Sequence, residues 1–463
     1  MGKVPRGAVR RQIIALIPVY MNTLMIGCSS GWFSNAVLFI TAGEEVFATS
    51  FQCALIASFS ELGRIVFAIP AGILTDKYGR KKIVLSVAFL NFFSWLGLSL
   101  DTSIGTIYIG RFVIGAAQAL SNATALMSVG EISSPEIRGT LTVIYQIFMN
   151  VGVVAPSIIS VLFSSYKTLA WGVTFFSILS LLSMYWATET PHFLVAVSKP
   201  KQAKNILKQI RQGYPEDEIN NEFEKSQKYI EDEKTRKSEL NWLTFIQSKS
   251  IRKPILSGIL MNFFALLTGA QFIRFYITAI IPSNDNVPVK YYPLANQILL
   301  LALSGITAWY VEKFPRRYMF LLGASAMVLI NAFCAISHHF TEEYRDEDVF
   351  KWMFALGNIL VLVCYGTSIQ PMTNTLNSEL YPQAIKGFCG SLATMSQALS
   401  LVILFQLYRF INDHFHLYLM YTVCSLSSIV LYLVVYFLLP EGRGAFLSDL
   451  QMKFKEGSLP ACS

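Results

Sequence analysis

Asp76-Lys77-Tyr78-Gly79-Arg80-Lys81-Lys82 is a short charged connection with a glycine at its centre, set between two long apolar stretches. Phe51–Thr75 precedes it and Ile83–Leu100 follows, and each is long enough to cross a bilayer as a helix. So tight a link holds no folded domain, which makes it a turn at the membrane surface. Four basic side chains against one acid place that turn in the cytoplasm. A second copy, Glu312-Lys313-Phe314-Pro315-Arg316-Arg317, starts 236 positions later, at 312 rather than 76, and also lies between apolar spans. The recurrence reads as a chain built twice.

Composition points the same way. Of 463 residues, 53% are hydrophobic and 14% charged, with a mean hydropathy of +0.47; soluble domains carry about 25% charged residues. This is the composition of a polytopic membrane protein, whose partner is the lipid bilayer. The net charge of +8 is no nucleic-acid signal, because the basic residues cluster in loops on one side. The seven cysteines lie mostly inside apolar spans with no CxxC pair, so neither a disulfide framework nor a metal site is expected. The basic start, Lys3 to Arg11, runs into a first span too long for a signal peptide and reads as an anchor. No nucleophile–base pair, metal cluster or phosphate loop suggests an enzyme, and no cofactor or obligate protein partner is expected.

Twelve spans are expected, near 13–40, 51–74, 83–101, 104–129, 140–164, 168–188, 253–281, 291–311, 317–338, 351–376, 387–411 and 416–439. Odd-to-even connections are polar or acidic (Glu44 and Glu45, Asp101, Asp285, Glu342–Asp348), whereas even-to-odd connections are basic. Both termini are therefore expected in the cytoplasm, for a multi-pass protein of the plasma membrane. The fold class is an all-α membrane protein: two pseudo-symmetric six-helix bundles, 1–189 and 251–440, joined by cytoplasmic helices over 190–250 and followed by a short tail, 441–463. Within the linker, Pro200–Gln212 and Glu216–Lys237 alternate charges at helical spacing, as short surface helices or as a solvated linker.

The halves repeat again. Glu131-Ile-Ser-Ser-Pro135-Glu-Ile-Arg138-Gly139 closes the fourth span and Glu379-Leu-Tyr-Pro382-Gln-Ala-Ile-Lys386-Gly387 closes the tenth, 248 positions on. Parallel halves of this kind hold a solute near the bilayer midplane and rock around it. Asp76, Arg80, Arg111, Glu131 and Arg138, with Gly79 where helices approach, are expected to form a cytoplasmic charge network, and Glu312, Arg316, Arg317 and Glu379 its counterpart. The alternative is that these charges only anchor topology.

These pieces, together with Gly110-Arg111-Phe112, Thr188-Glu189-Thr190-Pro191-His192-Phe193-Leu194 and Pro440-Glu441-Gly442-Arg443-Gly444, resemble the sugar-transporter branch of the major facilitator superfamily over nearly the whole chain. Gly27-Cys-Ser-Ser-Gly31-Trp32-Phe-Ser34 is similar to the insect facilitated trehalose and sugar transporter group. The resemblance implies passage of a hexose or disaccharide without ATP, and it adds Glu189 to the charge network. It also implies a cavity. Gln146 matches a glutamine that bonds sugar hydroxyls, but the family's Gln-Gln-Leu-Ser/Thr-Gly-Ile-Asn stands here as Ala265-Leu266-Leu267-Thr268-Gly269-Ala270-Gln271. Gly-Pro-x-Pro-Trp stands as Gln370-Pro371-Met372-Thr373-Asn374, and Gln397 sits near another polar position. Polyol recognition needs groups that donate and accept, plus an apolar platform. Each missing partner costs about 1–3 kcal/mol, so the lost glutamines and tryptophan weaken glucose binding unless Gln271, Asn374, Gln370 and Gln397 compensate. The expected contact set is Gln146, Thr268, Gln271, Asn374, Gln397 and Arg274.

Charges inside spans are functional candidates by default. Glu61 and Arg64, three apart in span two, read as a structural ion pair or as a proton-coupling carboxylate with its partner. The family's symporters place an aspartate in span one where this chain has Ser29 and Ser30, which favours facilitated uniport. Arg274 reads as a contact for an anionic solute, or as a side chain that pairs with a gate acid or snorkels outward. Three functions follow: a sugar or polyol uniporter, a carrier of another small and possibly anionic solute, or a solute sensor on the same fold.

Overall fold

The structure, a computed structural model, describes residues 5–42, 48–134, 136–163, 165–239, 249–280, 291–310, 316–343, 348–379 and 386–438. Among them every regular element is helical. Helices are what a chain in hydrocarbon must form, since they bond every backbone N–H and C=O within one segment. In order they are α1 Arg6–Ala42, α2 Ser50–Tyr78, α3 Arg80–Leu100, α4 Ile104–Ile132, α5 Arg138–Leu162 and α6 Tyr166–Ser183. Three further helices follow: α7 Pro191–Ala196, α8 Pro200–Ile210 and α9 Glu216–Glu239. The rest are α10 Lys249–Leu266, α11 Ala270–Ile280, α12 Tyr291–Tyr310, α13 Arg316–Glu343, α14 Asp348–Cys364, α15 Gln370–Glu379, α16 Lys386–His414 and α17 Tyr418–Leu438.

Among the described residues, eleven helical spans are long and apolar enough to cross a membrane. Helix α12, at the position of the eighth expected span, has 20 residues but carries Asn296 and Gln297. Two spans are interrupted. The seventh breaks over 267–269 between α10 and α11, where Gly269 takes φ 103°, and the tenth carries a π-helical turn, Tyr365–Ile369, between α14 and α15. Large apolar side chains such as Phe93, Ile109, Leu162, Leu329 and Trp352 are exposed, as lipid-facing surfaces require. Polar caps sit at the ends: Ser103, Ser165 and Thr190 each accept a backbone N–H three residues on. Between α3 and α4, Asp101 accepts from Thr106 Oγ1, Ser103 N and Ser103 Oγ, and these bonds, led by that of Thr106, hold its carboxyl at about 2.

Two compact units emerge: Met1–Trp32 with Gly63–Ile159 and Phe163–Asn241, and Phe33–Leu62 with Ser160–Leu162 and Trp242–Ser463. In the first, α3 packs on α4 and α6. A Cβ at Gly27 would lie 2.1 Å from Met149 O, and one at Gly152 2.1 Å from Leu24 O, so α1 and α5 touch backbone to backbone. Asn22 ties three helices, donating to Val84 O at 2.9 Å and accepting from Ser180 Oγ at 2.8 Å. Ile210 of α8 joins the core formed by Leu16, Tyr20, Val129 and Leu141. Arg211, buried just after it, donates to Ile132 O (2.7 Å) and twice to Glu222 (3.0 and 2.7 Å), fastening α8 and α9 to the end of α4.

In the second unit, α10 packs on α16 and α17, and α13 on α14 and α17. Phe33, Phe272, Phe275, Tyr276, Phe405 and Tyr408 form one aromatic cluster, with ring centroids 4.0 Å apart for Tyr276 and Tyr408 and 5.2 Å for Phe275 and Phe405.

Candidate functional site

The charged turn after α2 is built around a glycine that no other residue can replace. Gly79 has φ 91°, and a Cβ there would lie 2.5 Å from Glu189 Oε2 and 2.6 Å from the Phe193 ring. Lacking a side chain, it leaves the first N–H groups of α3 open, and Glu189 fills them. Its Oε1 accepts from Arg80 N at 2.9 Å and from Lys81 N at 3.3 Å. A carboxylate at a helix start also meets the positive end of the helix dipole. Arg80 then reaches Glu131 (Nη2 to Oε1, 2.8 Å) and Asp76 (Nη1 to Oδ1, 3.6 Å), with its guanidinium over the Phe193 ring. Asp76, Gly79, Arg80, Glu131 and Glu189 therefore do come together.

Arg111 does not join them. It lies on the same helix as Glu131 but 20 residues away, roughly 30 Å at 1.5 Å per residue. Instead its buried guanidinium donates to Ser29 Oγ at 2.8 Å and Ser29 O at 3.3 Å, and lies 5.5 Å from the Trp32 ring. Arg138 is exposed and makes no ion pair with a described residue. In the second half, Arg317 donates to Tyr436 O at 2.6 Å, a helix-end carbonyl rather than an acid. Glu312 and the side chains of Arg316 and Glu379 fall outside the described residues. Glu61, buried, and Arg64 lie one turn apart on α2, as their spacing predicts.

The expected solute contacts divide. Thr268 is the correction: it is fully buried, its hydroxyl donates to Ala265 O, and its carbonyl accepts from Asn331, so the break after α10 consumes it. Gln271 donates from Nε2 to Tyr365 Oη at 3.1 Å, bridging α11 and the π turn. Gln397 donates to Asn262 Oδ1 at 2.8 Å, and Asn262 and Asn377 exchange amide bonds of 2.8 and 2.9 Å. Asn374 is exposed on α15, while Gln146 donates to Asn150 one turn along α5 at 3.3 Å. Arg274, one turn after Gln271, has no hydrogen bond or ion pair to any described residue, and its Nε is buried. Sequence reasoning missed Asn262, Asn377, Tyr365 and Arg211. The usable signal was an amide in an apolar run, which has to find a partner within the fold.

The family model described as "Sugar (and other) transporter" matches residues 18–454. The facilitated trehalose transporter of Apis mellifera ligustica is 24% identical over 449 residues, 96% of this chain and 88% of its own. The glucose transporter GlcP of Staphylococcus epidermidis is 23% identical, with 94% and 96% covered. Among solved structures, the inward-open xylose transporter XylE from E. coli superposes with a TM-score of 0.76 at 16% identity, over 95% of this chain and 99% of that one. At that identity the likeness establishes the fold, that of the major facilitator superfamily. All of these are transporters and none an enzyme. With the family model spanning residues 18 to 454, this multi-pass membrane protein belongs to the sugar (and other) transporter family.

Proposed function

We propose that the chain carries a hexose or disaccharide across the plasma membrane by facilitated uniport and alternating access, with both termini in the cytoplasm. Residues 1–189 and 251–440 act as the two halves, with 190–250 as their linker and 441–463 as a tail. The family match and the trehalose and glucose transporters among the relatives support a sugar as cargo. Uniport rests on one observation: Arg111 is held by the hydroxyl and carbonyl of Ser29, neither of which titrates. The position that carries an aspartate in the family's symporters thus offers no carboxylate for a proton. A coupled mechanism would have to run through Glu61.

Gln271, Gln397, Asn374 and Gln146 supply the polyol contacts, and Asp76, Arg80, Glu131 and Glu189 hold the base of α3. Uptake of labelled glucose and trehalose into proteoliposomes, with and without an inward proton gradient, tests the reading. Equal initial rates are expected, with filling to the external concentration and no further. Accumulation above that level under the gradient refutes uniport, and saturable binding without uptake makes the chain a sensor.

A further inference from the structure

In the second unit, Arg274 has no carboxylate partner among the described residues. Arg274 sits on α11, where its neighbours Gln271, Phe272, Ile273, Phe275, Tyr276 and Ile277 are all buried. Among the described residues of α11, Arg274 and Thr278 are the half-buried positions, one turn apart on a shared strip of the helix. Among the described residues no carboxylate pairs with Arg274, yet its side chain remains partly open. A charge in a membrane span is costly even on the mildest scale. A position that keeps one, flanked along the helix by Phe272, Phe275 and Tyr276 and with no acid paired to it among the described residues, suits a charge that comes and goes.

The groups around it have matching chemistry. Tyr365 accepts from Gln271, one turn before Arg274, and keeps its own O–H proton to donate. Guanidinium and phenol together present only donors, the complement of an oxyanion. Gln271 Oε1, with no donor bonded to it among the described residues, is left to accept from a sugar hydroxyl.

We propose that Arg274 and Tyr365 bind the acidic group of a sugar carboxylate or sugar phosphate, with Gln271 on a neighbouring hydroxyl, so that the cargo is an acidic sugar. The inference rests on the sugar-uniport reading and narrows it. An anion moved alone carries charge, which gives it a signature that no neutral sugar has.

The full chain in proteoliposomes is offered labelled glucuronate, glucose 6-phosphate, glucose and trehalose, with and without a valinomycin potassium potential, positive inside. At least one acidic probe is expected to enter saturably and to accumulate roughly tenfold or more under the potential, while neutral sugars ignore it. Which of the two acids enters decides between carboxylate and phosphate. Arg274→Gln is expected to raise the half-saturating acid concentration roughly tenfold, and Arg274→Lys to recover part of that. Glucose uptake that neither acid joins or inhibits overturns this inference and leaves sugar uniport standing. Acid uptake driven by a proton gradient and blind to potential overturns uniport and keeps the site. No uptake or binding of any probe removes both. Wild-type acid kinetics in a monodisperse Arg274→Gln protein also refutes the assignment.

Discussion

Deleting Glu131 tests how the base of α3 is held. Its carboxylate lies 2.8 Å from Arg80 Nη2, with side chains 15% and 9% exposed. Two unit charges about 4 Å apart attract by about 4 kcal/mol at an effective dielectric of about 20, most of it offset by the hydration both ions lose. Deleting one partner does not restore that balance, because the other charge stays buried, and such deletions cost about 3–5 kcal/mol. Arg80 keeps Asp76 at 3.6 Å, but that carboxylate is 62% exposed. Pairs of that kind are worth at most about 1 kcal/mol. Glu131→Ala is therefore expected to cost about 3 kcal/mol, at the low end of the buried range, and Asp76→Ala less than about 1 kcal/mol. Double-mutant cycles with Arg80→Ala, read by unfolding in SDS-titrated mixed micelles, separate the two couplings. About 2–3 kcal/mol is expected for Arg80 with Glu131, within the range of directly contacting pairs. A coupling there below about 1 kcal/mol, or one equal to that of Asp76, would refute the burial argument.

Gly152→Val pushes a side chain onto Leu24 O and is expected to cost at least about 1–3 kcal/mol, seen as a lower melting temperature; Gly105→Ala, with nothing within 4 Å of its added Cβ, is the control and should not fall. Arg211→Ala unfastens α8 and α9 and should speed chymotrypsin cleavage at Tyr214 and Phe223; unchanged cleavage would show that Ile210 and its apolar neighbours suffice. The carboxyl of Asp101 titrates near 2 when folded against about 4 unfolded. Its stabilisation is therefore present above pH about 4 and lost as the pH falls through about 2. Asp101→Asn should melt below wild type at pH 5 and converge on it toward pH 2, and a gap constant with pH would exclude the carboxylate as its source.

Most of the architecture was legible because two signals agreed. Apolar runs fixed where helices lie, and the repeated charged turns argue for two sets of them. The Glu189 cap was legible only as a motif, since nothing in its spacing reveals that it meets α3 109 positions earlier. Arg111 was misplaced because it was grouped with the charges of the turns, whereas twenty residues of helix separate it from Glu131. The interior was read least well. Thr268 looked like a cavity hydroxyl, but a helix break leaves carbonyls and amides that nearby polar side chains must satisfy, and Thr268 and Asn331 were committed to that. The amide trio of Asn262, Asn377 and Gln397 joins residues 115 and 135 positions apart, a pairing that no local periodicity records.

The partners of the α3 turn also have an order in time. Arg80 leaves the ribosome before the acids that later hold it, since Glu131 follows it by 51 residues and Glu189 by 109. At 5–20 residues per second, the turn spends roughly 5–20 s without the Glu189 cap on the first N–H groups of α3. Those are the seconds in which the translocon chooses an orientation. The strongest sidedness cue in the chain is thus displayed with only Asp76 to offset it when it is read, and Arg80 meets Glu131 in the finished fold afterwards.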